Sequence, residues 1–281
     1  MFNLFITDLD GTLLDDEKNI SHVNLEAIKR IRKNDVAFSI FTGRNFYSAY
    51  QYMKILNVEG LVALQNGALI IEMPSRKVIN EICLQAEIAV DIYQFAKKNP
   101  FTIICFMSYQ DYIKNPAKDM IVEKNNCNCM TFDEYLQHNH ERITTLDSLE
   151  NYLIMNNKIG QLAIVGKKTQ LSELLSVVSQ KYQSQISHVL SPIEDHCGFL
   201  EFFGPKVSKG DALDYLLKHH GTTAAKTVFI GDNYNDLPLM KKVGLPIATE
   251  NAPREIKDHC KMVVSSNNNH AVKDAIKKIF F

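Results

Sequence analysis

The chain has 281 residues, 46% of them hydrophobic, and a formal net charge of −1. That length suits two domains, and that hydrophobic share supports a sizeable core. The balanced charge offers no basic surface for nucleic acid or an anionic membrane, and no apolar run is long enough to span a bilayer.

The first strand is expected at residues 2–7, a short apolar run with none of the basic start of a signal peptide. A cytoplasmic protein is therefore expected. The run leads directly into Asp8-Leu9-Asp10-Gly11-Thr12-Leu13. Gly11 permits a sharp turn, and Thr12 can hydrogen-bond locally. Two carboxylates at the end of a buried strand need a cation or a chemical task. A helix follows with Leu25, Ile28 and Ile31 on one face. Apolar runs at 36–41 and 61–64 read as the second and third strands. They end at Thr42-Gly43-Arg44 and Gln65-Asn66-Gly67, the latter a hairpin turn signal. Strands alternating with helices argue for a parallel sheet.

The pattern changes near Cys83. Ile88, Ile92, Phe95 and Ala96 mark a helix, and residues 101–107 a strand. Residues 114–157 are polar and weakly patterned. A strand at 160–165, a helix carrying Leu171, Leu174, Leu175 and Val178, and strands at 189–190 and 199–203 complete an inserted α+β block. Its aromatic residues are expected in a core. The first pattern resumes at Gly204-Pro205. Ser208 and Asp211 fit a capping box before Leu213, Leu216 and Leu217. Short strands are expected at 227–230, 245–248 and 262–264, then a helix from Ala271 to the end. The expected domains are 1–83 with 204–281, and 84–203 inserted between them.

Four polar clusters follow predicted strands or open a helix: Asp8/Asp10, Thr42-Gly43-Arg44, Ser208-Lys209-Gly210, and Gly231-Asp232 to Asn235-Asp236. The carboxyl ends of parallel strands face one crevice, so the clusters are expected to converge. Phosphoryl transfer suits them. Asp8 can attack phosphorus, and Asp10 can protonate the leaving oxygen and later activate water. Asp232 can help bind Mg²⁺, a hard cation that takes oxygen ligands. Lys209 at a helix start can balance phosphate charge, and the Thr42 hydroxyl and Gly43 N–H can hold phosphoryl oxygens.

These motifs, in this order and with this insertion, resemble the haloacid dehalogenase superfamily of phosphatases, and within it the Cof-type branch with an α/β cap. Gln65-Asn66-Gly67-Ala68 and Asn251-Ala252 also resemble landmarks of that branch. The resemblance implies a Rossmann-like α/β core with a cap, and a phosphatase acting on small phosphorylated metabolites such as sugar phosphates, nucleotides or phosphorylated cofactors. It makes Asp8 the nucleophile and Asp10 the general acid/base. Mg²⁺ ligands would be Asp8, the Asp10 backbone carbonyl and Asp232. Phosphate contacts would be Leu9 through its backbone, Thr42, Gly43, Lys209 and Asn235. Asp236 becomes a supporting acid, with Thr12 and Arg44 in support. Thr249-Glu250 departs from the Met-Gly of the family and concerns the pocket edge. A phosphomutase of the phosphomannomutase type, or a phospho-accepting binding module, would use similar residues.

Other groups read as structural. Asn66 is expected to serve the turn. Asp195-His196-Cys197 reads as a solvated loop, and His138, His140, His219 and His220 as exposed. The six cysteines, at 83, 105, 127, 129, 197 and 260, are expected as reduced thiols, since Cys127/Cys129 fits no zinc pattern.

Overall fold

The computed structural model describes every residue except 115, 117, 124–128, 157, 194 and 195, and at 131 the main chain alone. In chain order its strands are β1 (Leu4–Thr7), β2 (Ala37–Ile40), β3 (Gly60–Leu64), β4 (Leu69–Met73), β5 (Lys77–Glu81), β6 (Leu84–Gln85), β7 (Thr102–Met107), β8 (Met120–Glu123), β9 (Ile143–Thr145), β10 (Lys158–Lys167), β11 (Ser187–Pro192), β12 (Cys197–Phe203), β13 (Thr227–Gly231), β14 (Leu245–Thr249) and β15 (Met262–Val264). The chain divides into two compact units, Met1–Asn80 with Ser208–Phe281, and Glu81–Val207. The insert extends a few residues beyond 84–203 on either side. Glu81 Oε1 accepts the Tyr109 N–H at 2.5 Å, and the Val207 N–H donates to Ser187 Oγ at 2.8 Å.

In the first unit a five-stranded sheet has the order β15-β14-β13-β1-β2, and every pair in it is parallel. All four β1 residues are buried, as a strand covered on both faces requires. Leu4, Ile6, Phe41, Phe229 and Ala248 share a core with Leu213 and Leu216 of the helix Lys209–His220. The helix His22–Arg32 is capped by Ser21 and buries Ile28 and Ile31, as its periodicity predicts. β3 and β4 form the expected hairpin, with Leu64 opposite Leu69.

The second unit holds a seven-stranded sheet ordered β11-β12-β10-β7-β8-β9, with β6 added beside β10. The helices Ala86–Ala96 and Lys168–Tyr182 bury Ile92, Leu171 and Val178 against Ile103, Leu162, Leu200 and Phe202. The alternate residues Ile104, Ala163 and Val165 meet Phe132 and Leu136 of the helix Met130–His138. The aromatic residues Phe101, Phe202 and Phe203 are buried, as expected.

Three expectations are corrected, one of them the solvated loop at Asp195-His196-Cys197, since Cys197 is buried at the start of β12. Cys129 and Cys197 form a disulfide, Cα atoms 6.1 Å apart, rather than standing as reduced thiols. They are 68 positions apart in sequence, and only the placement of that helix over the β12 end of the sheet brings them together. Cys83, Cys105 and Cys260 are free thiols, while Cys127 and Asp195 lie outside the described residues. His220 is half-buried, unlike the exposed His138, His140 and His219. Its ring stands edge-on to His219, centroids 4.8 Å apart. No helix among the described residues is long and apolar enough to cross a membrane.

Candidate active site

Everything that follows lies in the first unit. β1 ends at Thr7, β2 at Ile40 and β13 at Gly231, and the three are neighbours running the same way. Asp8, Thr42 and Asp232 therefore emerge on one edge of the sheet. The Asp8 N–H donates to Ile230 O at 3.0 Å, which sews the first acid to the neighbouring strand.

Lys209 is the first residue of its helix, with Ser208 as N-cap. The Ser208 hydroxyl accepts from the Asp211 N–H at 3.1 Å and donates to Asp211 Oδ2 at 2.7 Å. That fixes the direction in which the lysine leaves the helix. Its ammonium is completely buried and donates to Asp8 Oδ1 at 2.8 Å and to Asp236 Oδ1 at 2.5 Å. The other Asp236 oxygen accepts the N–H groups of Asp232 at 2.9 Å and Asn233 at 3.0 Å. Asp236 thus ties the loop after β13 to Lys209. Asp232 accepts from the Thr12 hydroxyl at 2.8 Å. Carboxylate oxygens of Asp8, Asp232 and Asp236 lie within 4.8 Å of one another.

Two carboxylates, Asp8 and Asp236, thus share one buried ammonium, with a third, the part-buried Asp232, beside them. Burial raises Asp8 well above the usual carboxylate range; Lys209 opposes that, while Asp236 and Asp232 add to it. Burial, aided by Asp236, pushes Asp232 up to about 7 against the Thr12 hydrogen bond. Burial alone would lower Lys209, but Asp236 and Asp8 outweigh it and hold the ammonium protonated. A site with this surplus of negative charge and only oxygen donors suits a small hard dication.

Asp10 stands apart from that cluster. Arg44 grips it through two bonds, Nε to Oδ2 at 2.6 Å and Nη2 to Oδ1 at 2.7 Å, and Lys18 Nζ lies 3.0 Å from Oδ1. Burial would raise Asp10, yet the Arg44 fork and Lys18 prevail and hold it at about 2. Arg44 is itself held over the Tyr52 ring at 4.9 Å. The Arg44 N–H donates to the Thr42 hydroxyl at 3.1 Å, so the second motif closes on itself. Leu9 is fully buried, and its carbonyl accepts the N–H groups of Leu13 at 3.0 Å and Leu14 at 2.9 Å, closing the turn after Asp8.

Gly11 adopts φ +70°, and a Cβ there would fall 2.3 Å from Asp232 Oδ2. The turn is therefore open only to glycine. Asn251 Nδ2 donates to Gly11 O at 2.8 Å, and Asn251 Oδ1 accepts the Asn267 N–H at 3.0 Å, pinning the loop from outside. The Thr249-Glu250 departure leaves this pin in place; Thr249 is fully buried and Glu250 exposed. Two participants escaped the sequence reading. Lys18 belongs to a polar loop with nothing to mark it. Asn66 turns the chain as expected, but its side chain is buried and accepts from Asn235 Nδ2 at 2.9 Å.

The model of the haloacid dehalogenase-like hydrolase family matches residues 5–276. The chain belongs to that family. Among curated relatives, the 5-amino-6-(5-phospho-D-ribitylamino)uracil phosphatase YbjI of Escherichia coli strain K12 is 23% identical over 278 residues, covering 98% of this chain and 95% of the relative. Among solved structures, a haloacid dehalogenase-like hydrolase from Bacteroides thetaiotaomicron aligns over all of both chains with a TM-score of 0.82 and 25% identity. A HAD subclass IIB sugar phosphatase aligns over 98% of each chain with a TM-score of 0.78 and 19% identity. The doubly wound core with an inserted α+β unit is the fold of this family with its cap.

Proposed function

We propose that this haloacid dehalogenase-like phosphatase hydrolyses small phosphorylated metabolites, of the sugar phosphate or phosphorylated cofactor class, through an aspartyl phosphate on Asp8. The observation that carries the reading is the buried Lys209 shared by Asp8 and Asp236, with Asp232 beside them. Support for the substrate class comes from the relative named for a phosphorylated ribitylaminouracil and from the sugar phosphatase that shares the fold.

In the first step an Asp8 oxygen attacks phosphorus, and the bond from phosphorus to the leaving oxygen breaks as Asp10 gives that oxygen its proton. In the second, water gives a proton to Asp10 and attacks phosphorus, releasing inorganic phosphate and restoring the Asp8 carboxylate. Lys209 holds Asp8 in place and, with the Thr42 hydroxyl and the Leu9 and Gly43 main chain, surrounds the phosphoryl oxygens. Asn235 adds a side-chain donor. Asp10 gripped by Arg44 is in its ionised form, suited to the second step. To donate a proton in the first step it must leave the Arg44 fork.

Asp8, Asp232 and the Asp10 main-chain carbonyl would hold Mg²⁺. Bound there, the ion supplies charge neutralisation between an anionic nucleophile and an anionic phosphoryl group.

Phosphate release from sugar phosphates, nucleotides and phosphorylated cofactors, with Mg²⁺ and with EDTA, tests the reading. The expected result is Mg²⁺-dependent release from at least one class, abolished in Asp8→Asn. Turnover that survives in EDTA or in Asp8→Asn contradicts it. Transfer of phosphate to a second sugar hydroxyl, in place of free phosphate, would make the enzyme a mutase.

A further inference from the structure

Gln65 and Asn66 both lie in the left-handed region, with φ of +49° and +57°. Consecutive non-glycine residues there are uncommon, and such strain persists only where the surroundings impose it. Here they do. The Gln65 N–H donates to Arg44 O at 2.9 Å and the Asn66 N–H to Thr42 O at 3.0 Å. This short turn therefore straps the Thr42-Gly43-Arg44 segment from behind, main chain to main chain.

A plain turn residue would leave its side chain in solvent. Asn66 is 2% exposed. Its carboxamide lies against Gly43, where a Cβ would come 3.3 Å from Oδ1 and 3.4 Å from Nδ2. Oδ1 accepts from Asn235 Nδ2 at 2.9 Å. Nδ2 is buried with no hydrogen-bond partner among the described residues. Buried polar groups are paired almost everywhere, and an exception marks a functional strain or an absent ligand. A carboxamide nitrogen carries two N–H groups. Asn66 takes one from Asn235, and so fixes the direction of the other.

We infer that Asn66 is a positioning residue of the phosphoryl pocket, orienting Asn235 and holding an unpaired donor beside Gly43 for an incoming oxyanion. The inference rests on the phosphatase reading above and gives a role in the site to a residue that the sequence marks only as part of a turn. A phosphoryl group seated at Thr42 and Gly43 brings the acceptors that the free site lacks. Asn66 thereby couples the loop after β2 to Asn235 in the loop after β13, a residue 169 positions beyond Asn66 itself.

Asn66→Gly separates this role from that of a turn. Glycine accepts positive φ more readily than asparagine, so the backbone is preserved while the carboxamide is lost. Asn66→Asp keeps the acceptor for Asn235 and tolerates the same backbone, but replaces the donor with negative charge. The readouts are KM and kcat for whichever substrate the wild type hydrolyses, inhibition by inorganic phosphate, and the thermal midpoint. In Asn66→Gly we expect an unchanged midpoint and phosphate inhibition weakened about tenfold, with a larger loss in Asn66→Asp. In an Asn235→Ala background the Asn66→Gly substitution has a much smaller effect, because both changes remove the same unit.

Wild-type KM and phosphate inhibition in Asn66→Gly would overturn the inference and leave the phosphatase reading intact. A midpoint that falls together with activity would also overturn it, because Asn66 would then serve folding alone. A wild type that neither releases nor binds phosphate would mean that the phosphatase reading itself had failed.

Discussion

Asp10 shows how surroundings, more than residue type, decide what a carboxyl group does. Two acids separated by Leu9 meet opposite environments: Asp8 shares one ammonium with Asp236 and has Asp232 nearby, while Asp10 has a guanidinium and an ammonium to itself. The first is raised and the second lowered, the opposite of what the first step needs, so Asp8 must ionise beside a bound cation and Asp10 must leave the Arg44 fork to carry a proton. The residues meeting at Asp8 were legible because each stands in a short motif tied to a strand end or helix start. The grip on Asp10 was not, because Lys18 is an ordinary loop lysine and Arg44 could equally have faced a substrate. Asn66 was half legible: the turn is written in Asn-Gly, but its burial depends on Asn235. At Gly11, alanine would face both the left-handed backbone and Asp232. Gly11→Ala should lower stability by about 1–2 kcal/mol and raise the Mg²⁺ concentration needed for half-maximal activity. A magnesium titration of turnover checks it, and an unchanged titration would mean that Asp232 is placed by something else.

At the scale of elements, the parallel strands could be read because a strand buried on both faces is a nearly unbroken apolar run. The insert resisted between 114 and 157 because several of its described elements there are short, such as β8 with four residues and β9 with three, too few to show a period. The sequence also hid a polar pair in the insert sheet. Glu201 of β12 is buried and accepts from Gln161 Nε2 of β10 at 2.5 Å. Burial, only partly opposed by that bond, pushes its carboxyl up to about 8. The folded state therefore holds a proton that the unfolded chain releases above about pH 4.5. The stabilisation is complete below that pH and is lost as pH rises through 8, by up to about 1.4 kcal/mol per pH unit. Glu201→Gln should flatten this dependence and leave the variant the more stable protein at pH 9. Denaturant midpoints at pH 5, 7 and 9 measure it, and parallel pH slopes for the two proteins would refute it.

At the scale of the molecule, the site is assembled from both halves of a divided unit. Asp8 and Thr42 precede the insert, and Lys209, Asp232 and Asp236 follow it. Their convergence was legible because adjacent parallel strands deliver their carboxyl ends to one edge. The disulfide was not, because nothing local to Cys129 or Cys197 announces a partner 68 positions away. The central claim is that Asp8 carries the phosphoryl group, and the most direct measurement is to trap it. Enzyme mixed with Mg²⁺ and a hydrolysed substrate is quenched in acid within the first turnover and treated with borohydride, which converts aspartyl phosphate to homoserine. The account predicts homoserine at position 8, and none in EDTA. Turnover with Asp8 unmodified, or with the modification at another residue, would contradict it.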